Sequence, residues 1–339
     1  MSAGAISSAA PVVAWPAGDI HACPISVAPM MDWTDRHCRF FHRQLHPDAV
    51  LYTEMVTTGA IIHGDRDRFL AFDPAEHPLA LQLGGSDPDE LARACELANA
   101  YGYDEINLNV GCPSERVQKG SFGACLMKEP ELVRDCMSAM REAVDVPVTV
   151  KTRIGVDEHD SVEFLENFIG TVATSGVETF IIHARKAWLK GLSPKQNREI
   201  PPLAYERVHR LRQTFPHLGF ILNGGLTEVE QAVTELEQVD GVMLGRAAYQ
   251  DPWILIELGR RLGQPVAGSR TEAIEVMADY AARHIAGGGR LQQVARHLLG
   301  LFHAQPGAKR WRQVLSQNMH RPEAGPELLL QALPQRAAA

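Results

Sequence analysis

Cys112 stands in the run Asn109-Val110-Gly111-Cys112-Pro113-Ser114, between a glycine and a proline. Those neighbours mark a loop, not a packed face, so the thiol is set aside for chemistry. A free thiol titrates at about 8.5, is mostly protonated at neutral pH, and can donate a proton; acting as a nucleophile would require activation. Lys151 closes the apolar run Val148-Thr149-Val150. A lysine there must meet a negative partner or give up its charge. It suits a Schiff base, an electron-rich ring that needs a cation, or a plain buried ion pair. His183 ends Phe180-Ile181-Ile182 in the same way, as a satisfied core histidine or as part of a ligand site shared with Lys151. Gln82 interrupts Leu81-Gln82-Leu83 with an amide that needs partners, either backbone groups or the donor and acceptor edge of a heterocycle. Asn223-Gly224-Gly225 and Gly245-Arg246 combine glycines with a cation, which suits a bound phosphate.

These residues share one feature of place. Eight short Val/Ile/Leu-rich runs recur along the chain: Ser26–Met30, Val50–Val56, Leu79–Leu83, Glu105–Val110, Val146–Thr152, Thr179–His183, Gly219–Asn223 and Gly241–Leu244. Near-continuous apolar runs predict strands buried on both faces. Helical segments separate them. Asp87-Pro88-Asp89-Glu90 opens one with an acidic cap and a proline in the first turn. Glu131–Val144 and Ser161–Ser175 read likewise, and Thr227 with Glu230 predicts a capping box for a helix over 227–239. Strand–helix alternation repeated eight times predicts an α/β fold, a (β/α)8 TIM barrel. The rival doubly wound sheet usually carries a Gly-x-Gly-x-x-Gly turn after its first strand, and here that strand ends in Ala28-Pro29-Met30. In such a barrel the carboxyl ends of the strands carry function, and the reactive residues above all fall there.

The pattern changes after Gly245. A helix is expected over 251–262, a linker over 264–269, then helices only, over 271–285, 291–303, 308–318 and weakly 326–333. The expected division is a tail at 1–18, the barrel at 19–262 and a helical domain at 263–339. The 339 residues are 45% hydrophobic and 22% charged, which excludes a disordered or collagen-like chain. No apolar run of about 18 residues predicts a membrane span. The six cysteines show no Cys-x-x-Cys or zinc-like spacing, so no metal is expected. Their scatter points to a reducing compartment, the cytoplasm. Cys95, Cys125 and Cys136 read as small packed residues.

Taken in order, Ala28-Pro29-Met30, Leu81-Gln82-Leu83-Gly84, Asn107-Leu108-Asn109-Val110-Gly111-Cys112-Pro113-Ser114, Lys151-Thr152-Arg153, His183-Ala184-Arg185, Asn223-Gly224-Gly225 and Gly245-Arg246 resemble the tRNA-dihydrouridine synthase family. The stretch from His183 through Gly191-Leu192-Ser193-Pro194-Lys195-Gln196-Asn197-Arg198 resembles its A subfamily, which acts on uridines 20 and 20a of the tRNA D-loop. The resemblance implies an FMN enzyme that reduces the uracil C5=C6 bond with electrons from NADPH. Reduced flavin would give hydride to C6 and Cys112 would protonate C5. Ala28, Pro29 and Met30 would lie along the flavin ring; Gln82, Lys151 and His183 would bond its polar edge and ribityl chain. Asn223, Gly224, Gly225, Gly245 and Arg246 would hold the phosphate end. Asn109 and Arg153 would touch uracil or its phosphate, or else cap loops. Lys195, Arg198 and Arg312 would meet tRNA phosphates.

The formal net charge of −8 gives no global attraction to RNA, so binding needs a local basic surface. Two runs offer one: Arg185-Lys186 through Lys190, Lys195 and Arg198 with Trp188 among them, and Lys309-Arg310-Trp311-Arg312 followed by His320-Arg321. A monomer with tRNA as its partner is expected. Three other readings stand beside this one: a flavin barrel acting on a free pyrimidine, an aldolase using Lys151 as a Schiff base, and an RNA chaperone without catalysis. No residue pattern distinguishes NADPH from NADH.

Overall fold

A computed structural model describes residues 22–334; the expected tail at 1–18 lies outside the described residues. Nine strands form one parallel sheet: β1 (Ile25–Val27), β2 (Val50–Tyr52), β3 (Val56–Thr57), β4 (Leu79–Gly84), β5 (Glu105–Val110), β6 (Val148–Arg153), β7 (Thr179–His183), β8 (Gly219–Asn223) and β9 (Gly241–Leu244). β9 pairs with β1, and β2 and β3 both lie against β4, so the sheet closes into an eight-position barrel with helices between strands. The expected TIM barrel is the fold.

The expected second strand, Val50–Val56, is interrupted. Thr53 explains the break: its hydroxyl accepts the N–H of Gln82 at 3.0 Å and donates to the Glu54 carbonyl at 2.8 Å, so a side chain replaces a ladder carbonyl. Helix starts follow the cap residues in most places. Asp87 accepts from Glu90 N–H ahead of Pro88–Asn99, and Ser161 accepts from Phe164 N–H ahead of Val162–Ala173. The capping box expected at Thr227 does not form. That helix runs Val229–Glu235 without a side-chain cap, and the Gln231 side chain takes the Thr227 N–H instead.

The C-terminal region is helical, as expected, with different bounds. The helix expected over 251–262 runs Ile254–Arg261, and a further short helix, Arg246–Gln250, precedes it across Pro252. The helix expected over 291–303 covers only Leu291–Ala295. Beyond it Gly300 lies so close to the barrel that a Cβ there would stand 2.5 Å from the Gln250 carbonyl oxygen. Helices Arg270–Ala286, Ala308–Asn318 and Glu327–Ala332 complete the region.

Among the described residues three cores result. The first fills the space between barrel and surrounding helices; the second joins the C-terminal helices to Phe40, Phe41 and Leu45 of the helix Arg36–Leu45 and to Trp253 and Ile256; a small third, with Val50, Tyr52, Ile181, Ile221 and Met243, lies inside the barrel. A polar contact reinforces that junction. Asp35 caps the helix Arg36–Leu45 and accepts from Arg296 at 2.5 Å and His297 at 3.0 Å. Burial alone would raise the Asp35 carboxyl, but His297, the Cys38 N–H and Arg296 outweigh it and hold it well below the usual carboxylate range.

Candidate active site

The carboxyl ends of the strands open into one cavity of about 900 Å³. Ala28, Pro29 and Met30 line it after β1, Gln82 from β4, Lys151 from β6, His183 from β7, Asn223, Gly224 and Gly225 at β8, and Gly245 and Arg246 after β9. Cys112, Asn109, Arg153 and Arg198 line it too. The barrel thus gathers into one space residues spread over more than two hundred positions of sequence.

One wall is cationic or neutral, without a bonded carboxylate. Lys151 Nζ donates to Asn223 Oδ1 at 2.9 Å, and Asn223 Nδ2 donates to the Met243 carbonyl at 2.7 Å. A carbonyl can only accept, so the amide is locked with its oxygen toward the lysine. Burial, with the Arg153 charge adding, pulls Lys151 down to about 7. The expected alternative of a lysine paired with a carboxylate does not occur among its hydrogen bonds. Burial and the charges of Arg153 and Lys151 likewise hold the His183 imidazole neutral, well below its ordinary range. Its buried Nδ1 has no hydrogen-bond partner among the described residues. Gly224 sits at φ 108°, and a Cβ there would stand 3.2 Å from the His183 ring. A glycine is therefore needed to keep backbone and ring together. Space beside Gly245 is open, with nothing within 4 Å of where a Cβ would lie. An orphaned imidazole nitrogen, a lysine short of an acceptor and an open glycine fit a planar, acceptor-rich group with an anionic tail, as FMN is.

Gln82 is buried, yet half of its amide is free. Its Nε2 donates to Asn107 Oδ1 and its Oε1 accepts from Asn109 Nδ2, both at 2.8 Å. A primary amide has two N–H groups and two lone pairs, so one of each is left for the cavity. Arg246 is not free: its guanidinium meets Glu199 at 2.6 Å. A phosphate there would compete with that carboxylate.

The Cys112 loop is held from several sides. Asn109 Oδ1 accepts from Gly111 N–H at 3.1 Å and Cys112 N–H at 3.0 Å. The Cys112 carbonyl accepts from Ala124 N–H at 3.0 Å. Arg153 Nε donates to the Gly111 carbonyl at 2.8 Å, and its Nη1 reaches the carbonyls of Asn197, Lys186 and Arg185 at 3.1, 3.2 and 3.4 Å. Gln118 Nε2 donates to the carbonyls of Pro113 and Leu189, both at 2.8 Å. For Asn109 and Arg153, expected at uracil or its phosphate or else in loop capping, the hydrogen bonds are those of loop capping. The reason is burial: Arg153 is 5% exposed, so its donors must find acceptors inside the chain. Burial raises the Cys112 thiol, against smaller opposing effects from the Ser114 N–H, Arg153, Arg198 and Lys151. Raised in this way, the thiol stays protonated at neutral pH.

The basic runs divide. Lys195 and Arg198 are exposed beside the cavity mouth, on the turn Gln196–Arg198, and Arg312 is exposed on the helix Ala308–Asn318. Lys186 is spent on Asp160 at 2.8 Å and lies over the Trp188 ring at 4.2 Å. Trp311, counted in the basic run expected to meet RNA, is fully buried in the second core, donating to the Leu298 carbonyl at 3.0 Å, while Arg312 stays exposed. Cys125 is half-buried, not packed away; its thiol donates to the Phe122 carbonyl at 3.1 Å.

Sequence reasoning missed Asn197, Glu105 and Thr149, and read Glu54 and Asn107 only as polar residues at strand ends. Asn197 is fully buried and bonds Trp188 N–H, Trp188 C=O, Leu192 C=O and Ser193 C=O, shaping the basic loop. Glu54 lines the cavity, raised by burial, and accepts from Asp32 N–H. Glu105, Asn107 and Thr149 are buried inside the barrel. The alternation Glu105-Ile106-Asn107-Leu108-Asn109 was the available signal: polar residues at every second position of a strand share a face.

Fold and site together define a (β/α)8 barrel with a thiol, a buried lysine and an imidazole gathered at one cavity at the carboxyl ends of its strands. The chain belongs to the dihydrouridine synthase (Dus) family, which it matches over residues 26–338. It is 57% identical over 317 residues to the tRNA-dihydrouridine(20/20a) synthase of Vibrio parahaemolyticus, covering 92% of this chain and 97% of that one. The protein of the same name from Shewanella oneidensis is 58% identical over 306 residues, 90% of this chain and 91% of that one. That of Escherichia coli K12 is 56% identical over 322 residues, 93% and 92% of the two chains.

Proposed function

We propose that this protein is an NADPH-dependent, FMN-containing oxidoreductase that reduces uridines 20 and 20a of the tRNA D-loop to 5,6-dihydrouridine. The observation that carries the reading is a protonated Cys112 thiol sharing a cavity with a wall of Lys151, His183 and Asn223 that has cations and donors to offer. Lys151, His183 and the free half of the Gln82 amide would hold the polar edge of the flavin. Gly224, Gly225, Gly245 and Arg246 would hold its phosphate, and Ala28, Pro29 and Met30 would lie along its ring. The flavin supplies the electron pair that C6 of uracil takes up as hydride. Cys112 supplies the proton to C5, and its thiolate then regains a proton from solvent. Asn109 and Arg153 hold the loop so that the thiol is presented in one geometry.

A base inside a folded tRNA loop must be splayed out to reach such a cavity. Exposed Lys195 and Arg198 at the mouth, with Arg312 on the helical region at 263–339, would take the phosphates on either side. Six unbridged cysteines suit the cytoplasm, where the substrate is. A monomer is the form we expect to act on one tRNA.

The test is the absorbance spectrum of the purified protein, with the flavin identified after denaturation. Bound FMN supports the reading. A colourless protein that takes up no added FMN overturns it and returns the lowered Lys151 to the Schiff-base alternative.

A further inference from the structure

One side of the barrel interior is polar where bulky aliphatic layers are the rule, while Val50, Ile181, Ile221 and Met243 pack in the rest. Glu105, Asn107 and Asn109 occupy alternate positions of β5, and β4 and β6 bring Gln82 and Thr149 into register beside Asn107. Glu105, Asn107, Gln82 and Thr149 are each no more than 1% exposed. Five side chains make one continuous chain of hydrogen bonds. Asn109 Nδ2 donates to Gln82 Oε1, Gln82 Nε2 to Asn107 Oδ1, and Asn107 Nδ2 to Thr149 Oγ1, each at 2.8 Å; Thr149 Oγ1 donates to Glu105 Oε1 at 2.5 Å.

The sense of this chain is forced from its upper end. The backbone N–H groups of Gly111 and Cys112 can only donate, so the Asn109 atom that meets them is Oδ1. Nδ2 of Asn109 must then point down to an acceptor, which fixes Gln82 with Oε1 up, then Asn107 with Oδ1 up, and leaves the Thr149 proton pointing at the base of the barrel. A chain that begins on two obligatory donors has to end on an acceptor. The sequence supplies a carboxylate there, and Tyr52 also donates to Glu105 Oε1, at 2.7 Å. Reversing Gln82 or Asn109 would set N–H against N–H at one link and C=O against C=O at the next, and reversing Asn107 would set N–H against N–H at Gln82, each in a buried site where an unmade bond is costly.

We propose that the buried chain Glu105–Thr149–Asn107–Gln82–Asn109 is a positioning device that fixes the Cys112 loop and the face Gln82 turns to the cavity, with Glu105 as its terminal acceptor. The functional part of this inference rests on Cys112 being the proton donor; the structural part does not. Glu105, Thr149 and Asn107 touch neither the cavity nor the loop, so their effect on turnover travels through Gln82 and Asn109. The device explains why a strand facing the barrel interior reads Glu-x-Asn-x-Asn and not as a run of valines.

The experiment compares the intact protein with Thr149→Val, Thr149→Ser, Asn107→Ser and Tyr52→Phe. Hydrogen exchange of the Gly111 and Cys112 amides, followed by mass spectrometry, reads the two bonds to Asn109 directly. The alkylation rate of Cys112 by iodoacetamide reads the thiol. Thr149→Val keeps the shape and removes the hydroxyl, so exchange at Gly111 and Cys112 should rise roughly tenfold, the equivalent of one ordinary hydrogen bond, while amides of the other strands keep their rates. Thr149→Ser should restore exchange to within about twofold of the parent. Asn107→Ser, too short to bridge Gln82 and Thr149, should behave as Thr149→Val does, and serves alone if the valine variant does not fold. Tyr52→Phe removes a second donor to the same carboxylate, one that also neighbours Thr149, and should loosen the loop amides less than Thr149→Val does. In turnover, Thr149→Val should lower kcat for dihydrouridine formation about tenfold and leave KM for tRNA within about twofold. Parent-like exchange and alkylation in folded Thr149→Val or Asn107→Ser overturns the proposal, as does Tyr52→Phe loosening the loop equally. If no form, the parent included, makes dihydrouridine, the functional reading fails and the exchange rates still judge the chain.

Discussion

Lys151 offers the sharpest physical prediction. Its ammonium is buried with one amide oxygen as its bonded partner, and it is pulled from 10.5 down to about 7. Between those two values the unfolded chain carries a proton that the folded chain has lost. Stability of the FMN-free protein must then rise with pH across that window, by at most about 1.4 kcal/mol per pH unit. Below about pH 7 both states are protonated and the full burial cost is present; above 10.5 both are neutral and the cost is gone. The lower part of the window is the cleaner one, because buried thiols and phenols, whose values are raised, pull stability the other way only as their unfolded forms ionise. Lys151→Met removes the group from both states. In urea unfolding of the two FMN-free proteins, the parent should gain about 1 kcal/mol relative to Lys151→Met between about pH 7.5 and 8.5. Added FMN, presenting acceptors to the ammonium, should flatten that difference. Parallel stability curves for the two FMN-free proteins, or a parent that loses ground with rising pH, would refute the picture of an uncompensated buried lysine.

Two further outcomes follow from the geometry. Arg153→Lys cannot span the Gly111 carbonyl and the three carbonyls of the basic loop, so urea unfolding should show a loss of about 1.5–3 kcal/mol, with the Cys112 loop among the first segments to exchange. Lys195→Glu, Arg198→Glu and Arg312→Glu should each weaken tRNA binding and flatten its salt dependence by about one charge in the log–log slope while FMN stays bound; an unchanged slope would remove that residue from the interface.

Much of the barrel was legible because its signals are local. Apolar runs such as Phe180-Ile181-Ile182 and Val148-Thr149-Val150 allow little but a buried strand, and the capping side chains of Asp87 and Ser161 mark their helix starts. The gathering of the strand ends into one cavity follows from the barrel itself. What escaped depends on partners far apart in sequence. Nothing near Thr53 announces that its hydroxyl will take the Gln82 N–H and split a strand. Arg153 looks from its place like a ligand residue; only the folded chain shows carbonyls from residues 111, 185, 186 and 197 meeting at its guanidinium. Trp311 sits among Lys309, Arg310 and Arg312, and a composition-minded reading sends it to RNA, while the helix turns it into the core. The barrel-floor polar residues were visible as an alternation, yet their order as a directional chain depends on register between three strands.

The central claim, that Cys112 completes the reduction of uridine in tRNA, is tested most directly on tRNA isolated without dihydrouridine. The protein, FMN and NADPH are incubated with it, and the D-loop fragment is weighed by mass spectrometry beside a Cys112→Ala reaction. The account predicts nucleotides at positions 20 and 20a heavier by two hydrogens with the parent protein, and a rate about 100-fold or more lower with Cys112→Ala, which still binds FMN. Equal product from the two proteins, or none from the parent with FMN bound, would contradict it.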